Sequence, residues 1–151
     1  MGRAAYGGRK GDPRDIVKWW QAKTDQIEGV TDEALKAYAK TGEEAALYII
    51  ATDTKTRASR ERGGGRVDSR TMIDSVKSNV TTSSAGRKTA HFGWMGSQGK
   101  GRETLYFLYQ EGGFDHYQTG QHVEGMYAMK DAGEYAINEM NRVMRQGLRS
   151  T

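Results

Sequence analysis

The only proline in this chain, Pro13, marks the start of a long helical region. Asp12 is a suitable helix cap, and proline is favoured at the first helical position because no intrahelical hydrogen bond is lost there. The apolar residues that follow at helical spacing are Ile16, Trp19, Trp20 and Ile27. This pattern predicts a first helix whose tryptophans pack on the core, with a stacking platform for nucleic-acid bases as the alternative.

A second helix is predicted after Gly29, which interrupts the pattern. Thr31 or Asp32 can cap this helix, and its alanine-rich apolar face would permit close packing of a neighbouring element. No proline interrupts the segment, so we expect the helix to extend to about Arg57, with Gly42 as a weak point.

Two strands are predicted in the middle of the chain, at Ser75 to Thr82 and at Lys88 to Trp94. In the second strand, Ala90, Phe92 and Trp94 alternate with Thr89, His91 and Gly93, which is the period of a strand with one buried face. Ser83 to Gly86 would form the turn that joins the two strands.

Two further helices are predicted in the C-terminal part. A short helix would include Leu105 and Tyr109 and end at Gly112 and Gly113, although a strand is the alternative for this segment. The last helix would run from about Asp131 to Gly147. The sequence thus predicts one α+β domain over residues 12–151, in which two N-terminal helices and a C-terminal helix pack on a small antiparallel sheet. We expect a flexible basic arm over residues 1–11.

Composition excludes several classes of function. The 151 residues contain no cysteine, which rules out disulfides, thiolate catalysis and cysteine-ligated zinc. No apolar run approaches the roughly 20 residues of a membrane helix, and the N-terminus has no apolar signal core, so we expect no membrane association and a cytosolic site of synthesis. The net charge of +4 is only mildly basic.

Fragments of reactive motifs are present but incomplete. Gly96 to Gly101 resembles a phosphate loop, yet it lacks the glycine five residues before the Gly-Lys pair and the Ser or Thr after it. Asp115, His116 and His122, with His91 as an additional ligand, do not have the spacing of a known metal site. We therefore predict no cofactor, no metal and no enzymatic activity.

Basic residues concentrate in two glycine-rich segments that we interpret as loops, Lys55 to Arg70 and Arg87 to Arg102. The first contains Gly63-Gly64-Gly65, which a regular element tolerates poorly because of the backbone entropy of glycine. A solvated basic face is one interpretation of these segments. The other is contact with the phosphates of a polyanion, without recognition of sequence.

The order of the motifs along the chain resembles that of the small head–tail joining proteins of long-tailed bacteriophages, also called neck, tail-completion or minor tail-component proteins. Arg70 to Val76 corresponds to the family's "TG-x-L/M-x-x-S-I/V" segment, with Ser69 and Arg70 in place of its Thr and Gly. Tyr106 to Gly113 corresponds to its "Y-A-x-x-v-E-x-G-T" segment. Gly125 to Ala132 matches the run that opens the family's last helix.

This resemblance implies a structural virion protein that forms a homo-oligomeric ring around the DNA channel and joins the head connector to the tail. Its partners would be other neck proteins, the tail tube and, non-specifically, the packaged DNA. The residues expected at a subunit or partner interface are Glu111, Gly113, Phe114, Tyr117 and Tyr127. The basic residues expected to face the lumen are Arg57, Arg60, Arg62, Arg66, Arg87, Lys88, Lys100 and Arg102.

Two other functions agree with the same pattern. One is a tail terminator, which caps the tail tube in the same machine. The other is a free, non-specific nucleic-acid-binding protein, whose monomer would bind DNA with a steep salt dependence.

Overall fold

The structure, a computed structural model, describes residues 13–66, 69–94 and 102–150. The expectations for the basic arm, for Lys100 and for residues 95–101 of the second glycine-rich segment lie outside the described residues. The elements are α1 (Pro13–Thr52), α2 (Arg57–Glu61), α3 (Ser69–Ser75), β1 (Lys77–Thr82), β2 (Lys88–Gly93), α4 (Arg102–Gly112), β3 (Phe114–Asp115), β4 (His122–Val123) and α5 (Ala128–Arg149). The predicted α+β class is confirmed, with a long N-terminal helix and a C-terminal helix packed on a small antiparallel sheet.

The N-terminal region is one helix, α1, and the prediction of two helices was wrong. A glycine inside a helix costs only about 1 kcal/mol relative to alanine, which the flanking helical turns outweigh at Gly29. At 1.5 Å per residue, the 40 residues of α1 extend about 60 Å. The helix also ends earlier than expected, at Thr52, and Arg57 instead begins α2 after an N-cap at Thr56.

The C-terminal helix, α5, packs antiparallel along the second half of α1. Small residues permit the close approach, since Ala132 and Ala136 are fully buried and a Cβ added at Gly147 would lie 2.5 Å from Cγ1 of Val30. Gly147 lies near the C-terminal end of α5, so the α5 contact ends near Val30. The preceding part of α1, residues 14–29, is exposed except for two half-buried side chains. We call this part the projecting helix.

The two tryptophans of α1 lie on the projecting helix, so the prediction that they pack on the core was wrong. Trp19 is 54% exposed and Trp20 is 61% exposed, and their rings contact each other edge to face with centroids 4.9 Å apart. The third tryptophan, Trp94, packs against the buried ring of Phe107 at 5.3 Å. The core cluster comprises Ala46, Ile50, Met72, Val76, Phe107, Met126, Ala128 and Ala132.

The two predicted strands form an antiparallel hairpin that packs on α1, with Lys77 opposite Gly93 and Thr82 opposite Lys88. Ala90, Phe92 and Trp94 are half-buried, and of the residues that alternate with them Thr89 and His91 are exposed whereas Gly93 is buried. β1 begins at Lys77 rather than Ser75 because α3 occupies the residues up to Ser75.

The segment before Gly113 is a helix, α4, as predicted, and the alternative of a strand was wrong. Gly113 follows the helix with φ +82°, and its N–H donates to the Tyr109 carbonyl. The short hairpin of β3 and β4 was not predicted. α5 begins at Ala128 rather than at about Asp131. Within the described ranges, no helix has both the length and the apolar character needed to cross a membrane.

Replacing Gly42 with alanine should destabilise the protein, although alanine is the better helix former. The added Cβ would overlap three ring carbons of Phe92, and Phe92 itself packs on Tyr38. Overpacking of this kind costs about 1–3 kcal/mol, more than the helix propensity gained. Thermal unfolding followed by circular dichroism checks this. Gly29→Ala is the matched control, because no atom lies within 4 Å of its added Cβ; a Tm for Gly42→Ala at or above that of the control would contradict the prediction.

Candidate assembly surfaces

Some of the predicted basic and aromatic residues meet in one place, a cavity of about 680 Å³ beside α2 and the β3–β4 hairpin. We call it the basic cleft. Arg57, Arg62 and Arg66 contribute to its lining from one side, and Phe114 and His122 contribute from the other. The structure thus brings together three residues expected at the DNA lumen and one expected at a protein interface.

Arg66 does not present its charge at the surface, so its assignment to the lumen was wrong. Its side chain is 2% exposed, and its Nε lies 2.6 Å from Oδ2 of Asp53, whose side chain is 1% exposed. Nη2 donates a hydrogen bond to the Glu124 carbonyl. Two charges removed from water in this way must compensate each other. The pair therefore joins the end of α1 to the segment before α5 and has a structural role.

The other basic residues of the first segment differ in the contacts that their side chains make. Arg57 is exposed and pairs with Glu61 at 2.7 Å on the surface of α2. Arg60 donates from Nη1 to the Thr54 and Lys55 carbonyls at 3.1 and 3.2 Å. Arg62 is exposed beside the cleft. The segment is therefore not all loop, since it contains α2.

Arg87 and Lys88, the described basic side chains of the second segment, lie far from the first segment. Lys88 binds both carboxylate oxygens of Asp32, at 2.5 and 2.6 Å, and the neighbouring Arg87 is exposed. Asp32 precedes the end of α1 at Thr52 by twenty residues, or about 30 Å of helix. The two groups thus do not form one basic patch within a single copy. Lys100 and the side chain of Arg102 lie outside what the structure describes.

Glu111 caps the start of α5 within its own chain. Its Oε1 accepts hydrogen bonds from the backbone N–H groups of Met129, at 2.8 Å, and Lys130, at 3.1 Å. Burial of the carboxyl raises the pKa of Glu111 above the ordinary value of 4.5, a shift that these hydrogen bonds oppose and that nearby Asp131 reinforces. Its other oxygen, Oε2, is buried without a hydrogen-bond partner, in agreement with the direction of the shift.

Gly113 and Tyr127, which were also expected at an interface, make close contacts within their own chain. A Cβ added at Gly113 would lie 2.8 Å from both the Gly125 nitrogen and the Val123 carbonyl oxygen, so only glycine fits there. Tyr127 has the left-handed backbone conformation, with φ 55°. Its ring lies 4.9 Å from the Lys55 ammonium, a cation–π contact, and Tyr127 remains 38% exposed.

Phe114 and Tyr117 are the predicted interface residues that offer aromatic surface at the hairpin. Tyr117 is 98% exposed, whereas Phe114 is half-buried, with its ring centroid 5.9 Å from that of the exposed Tyr109. Phe114 and His116 line both the basic cleft and a neighbouring hollow that Tyr109 and Tyr117 border. Aromatic and cationic side chains are therefore adjacent here.

The histidines do not assemble a metal site in the part of the chain that the structure describes. His122 Nδ1 lies 2.9 Å from Oδ1 of Asp115 across the β3–β4 pair, but no third ligand joins them. His91 lies on the exposed face of β2.

A groove with a volume of about 850 Å³ lies between α1 and α5, and the sequence did not predict it. We call it the α1–α5 groove. Its rim carries Tyr48, which is 70% exposed, and Tyr135, which is 61% exposed. The acidic residues that line it are Glu44, Asp131 and Glu134. Only the position of α1 beside α5 shows that Tyr135 borders a groove.

Comparisons of this chain with protein-family models, with curated proteins and with solved structures find no match.

Replacing Arg66 with methionine should destabilise the protein by about 3–5 kcal/mol, because the Asp53 carboxylate is then left buried without its countercharge. Replacing Asp53 with leucine as well should restore much of that loss, since neither charge remains. Urea unfolding of the single and double variants measures both effects. Arg62→Met is the matched control at an exposed neighbour and should change stability by less than about 0.5 kcal/mol. A double variant no more stable than Arg66→Met would contradict the interpretation.

The Glu111→Gln variant should gain stability relative to the wild type as the pH rises above about 4.5. The raised pKa means that the folded state holds the Glu111 proton more tightly than the unfolded chain does. The resulting stability is fully present below the unfolded pKa and is lost as the pH rises through the folded pKa. Glutamine keeps an acceptor for the two N–H groups but does not titrate. Urea unfolding of both proteins between about pH 4 and pH 8 tests this, and a difference in stability that does not change with pH would refute it.

Proposed function

We propose that this protein is a structural assembly subunit, whose function is to bind other copies of itself and neighbouring proteins. The projecting helix is the observation that carries the proposal. Residues 18 apart on a helix lie on the same face after five turns, so Ile16, Trp20 and Ile27 share the face on which Ala34, Tyr38 and Ala45 lie. Ala34 is buried and the other two are half-buried in the body of the protein. The same apolar face therefore continues onto a part of α1 where it is exposed.

Exposure of such an apolar surface to water is energetically unfavourable for a protein that acts alone. The chain is polar overall, with a mean hydropathy of -0.81, yet it exposes two adjacent tryptophans. Contiguous exposed apolar surface is typical of interaction sites, and tryptophan is enriched among the residues that dominate binding energy. We infer that another protein surface covers the projecting helix in the assembled state.

Within this class, we propose the head–tail junction of a long-tailed bacteriophage, where the protein would form a homo-oligomeric ring around the DNA channel. The support is the motif order in the sequence. The three motif segments contribute Met72 and Val76, Phe107, and Met126 with Ala132 to one core cluster. Because these residues are buried, the proposed function rests on the exposed surfaces.

The proposed ring would place exposed basic residues against packaged DNA without base recognition. Arg57, Arg62 and Arg87 are exposed and suit this position, whereas the buried Arg66 is excluded. The partners would be other neck proteins and the tail tube, and the protein would reside in the virion. A tail terminator would use the same surfaces, and identification of the protein that touches the ring in the particle distinguishes the two roles.

Non-specific nucleic-acid binding by the free protein is the second candidate, and the basic cleft favours it, because Arg57 and Arg62 lie beside Phe114 there. Cations together with an aromatic ring can bind single-stranded nucleic acid. Electron microscopy of the purified protein and of labelled particles tests the first proposal, which expects rings and a label at the neck. A protein that stays monomeric, is absent from particles and binds DNA with a steep salt dependence would instead establish the second.

Replacing Phe114 with aspartate should block particle assembly while the isolated protein remains folded. The substitution places a charge in the aromatic surface of the hairpin, where we expect a neighbouring subunit or partner. Particle yield measures the effect, and circular dichroism verifies the fold. Phe114→Leu is the matched control, since it keeps an apolar side chain. A normal yield with Phe114→Asp would refute this placement of the interface.

A further inference from the structure

We propose that the projecting helix of one copy binds in the α1–α5 groove of the next copy. This inference rests on the proposed function, because it assumes self-assembly, and it names the contact by which assembly would occur. Two different surfaces of the same chain are involved, and their shape and charge identify the occupant of the groove as a second copy.

The helix offers a compact apolar stripe. Ile16, Trp19, Trp20 and Ile27 are each more than half exposed. Aromatic side chains contribute about 150–250 Å² each when fully covered, so the tryptophan pair alone can supply a substantial share of the roughly 800 Å² that each partner buries in a standard interface.

The stripe cannot reach the groove of its own molecule. Both belong to the same continuous helix, and the groove begins at Thr41. Ile27 precedes Thr41 by about 20 Å along the axis of that helix. An occupant that resembles the projecting helix must therefore come from another molecule.

The charges of the groove and of the first part of the projecting helix are complementary. Residues 14–23 contain three basic residues, Arg14, Lys18 and Lys23, and one acidic residue, Asp15, whereas the acidic Asp25 and Glu28 lie in the last part of the helix. The described lining of the groove contains three acidic residues, Glu44, Asp131 and Glu134, and no basic one. Lys40 lies 3.8 Å from Glu44, but both side chains are mostly exposed, so the pair is weak and does not neutralise the groove.

The groove also presents the apolar contacts that a tryptophan-bearing helix requires. Tyr48 and Tyr135 stand exposed at its rim, and Ala45 and Ile49 contribute to its lining. A helix laid into a groove and anchored by residues at helical spacing is a common mode of recognition. Tyrosine and tryptophan are also the side chains that most often dominate such contacts.

The proposed contact joins two different patches and is therefore heterologous. Each copy offers one helix and one groove, so contacts of this kind repeat from copy to copy. They produce a ring when the rotation closes and a filament when it does not. Removal of the helix surface from one copy and the groove surface from another should then leave a single intact contact between the two.

Two variants of the full-length chain test this. In the helix variant, Trp19→Ser and Trp20→Ser remove the apolar anchor, and in the groove variant, Glu44→Lys and Glu134→Lys reverse the charge. All four positions are exposed, so both variants should fold.

Sedimentation velocity over a range of concentrations measures assembly. We expect each variant alone to be monomeric, with self-association weakened about 100-fold or more, and an equimolar mixture to form dimers. Ile137→Ser, at an exposed position outside the groove, is the control and should assemble as the wild type does.

The possible outcomes separate this contact from the proposed function. Rings that persist in both variants, or a mixture that stays monomeric, overturn the contact while the proposed function stands. If the helix variant fails to assemble and the groove variant assembles normally, the role of the groove is overturned. That result indicates that the projecting helices bind one another or a different surface. A wild type that remains monomeric in solution and is absent from particles overturns the proposed function itself.

Discussion

The close packing of α5 along α1 is the contact on which the rest of the structure depends. It is possible because α5 presents Ala132, Ala136 and Gly147 to α1, so that little side-chain volume separates the two backbones near the buried side chain of Val30. α5 has 22 residues and α1 has 40, and α5 aligns with the C-terminal part of α1. The difference in length leaves the N-terminal part of α1 without a neighbour among the described elements, and the groove runs beside the packed residues of the two helices.

A set of polar contacts at the other end joins α1 to the start of α5. Asp53 pairs with Arg66, Lys55 donates to the Met126 carbonyl, and Glu111 accepts from the first turn of α5. Lys55 and Arg66 belong to the basic segment that the sequence suggested for contact with DNA, and Glu111 was expected at a protein interface. Their use inside the chain leaves a smaller set of exposed groups for partners, chiefly the hairpin aromatics and the arginines beside the basic cleft.

Local patterns were sufficient to predict much of the fold. The alternation of Ala90, Phe92 and Trp94 with other residues identified strand β2, and the Gly112–Gly113 pair identified the end of α4, because both signals depend on neighbouring residues only. Gly29 was misjudged because the cost of one glycine is small compared with the stability of a long helix. Trp19 and Trp20 were misjudged because helical spacing shows that residues share a face, but it does not show whether another element lies against that face.

For the candidate surfaces too, the sequence and the tertiary structure determined different properties. The amino-acid sequence by itself determined the chemical character of each segment: the apolar stripe of α1, the basic residues around the three consecutive glycines, and the aromatic residues near Phe114. Only the tertiary structure decided which of these groups form contacts within the chain and which remain exposed. Whether a charge such as Arg66 is paired, or a ring such as Trp20 is covered, depends on residues far away in the chain, and long-range packing is what brings those residues near.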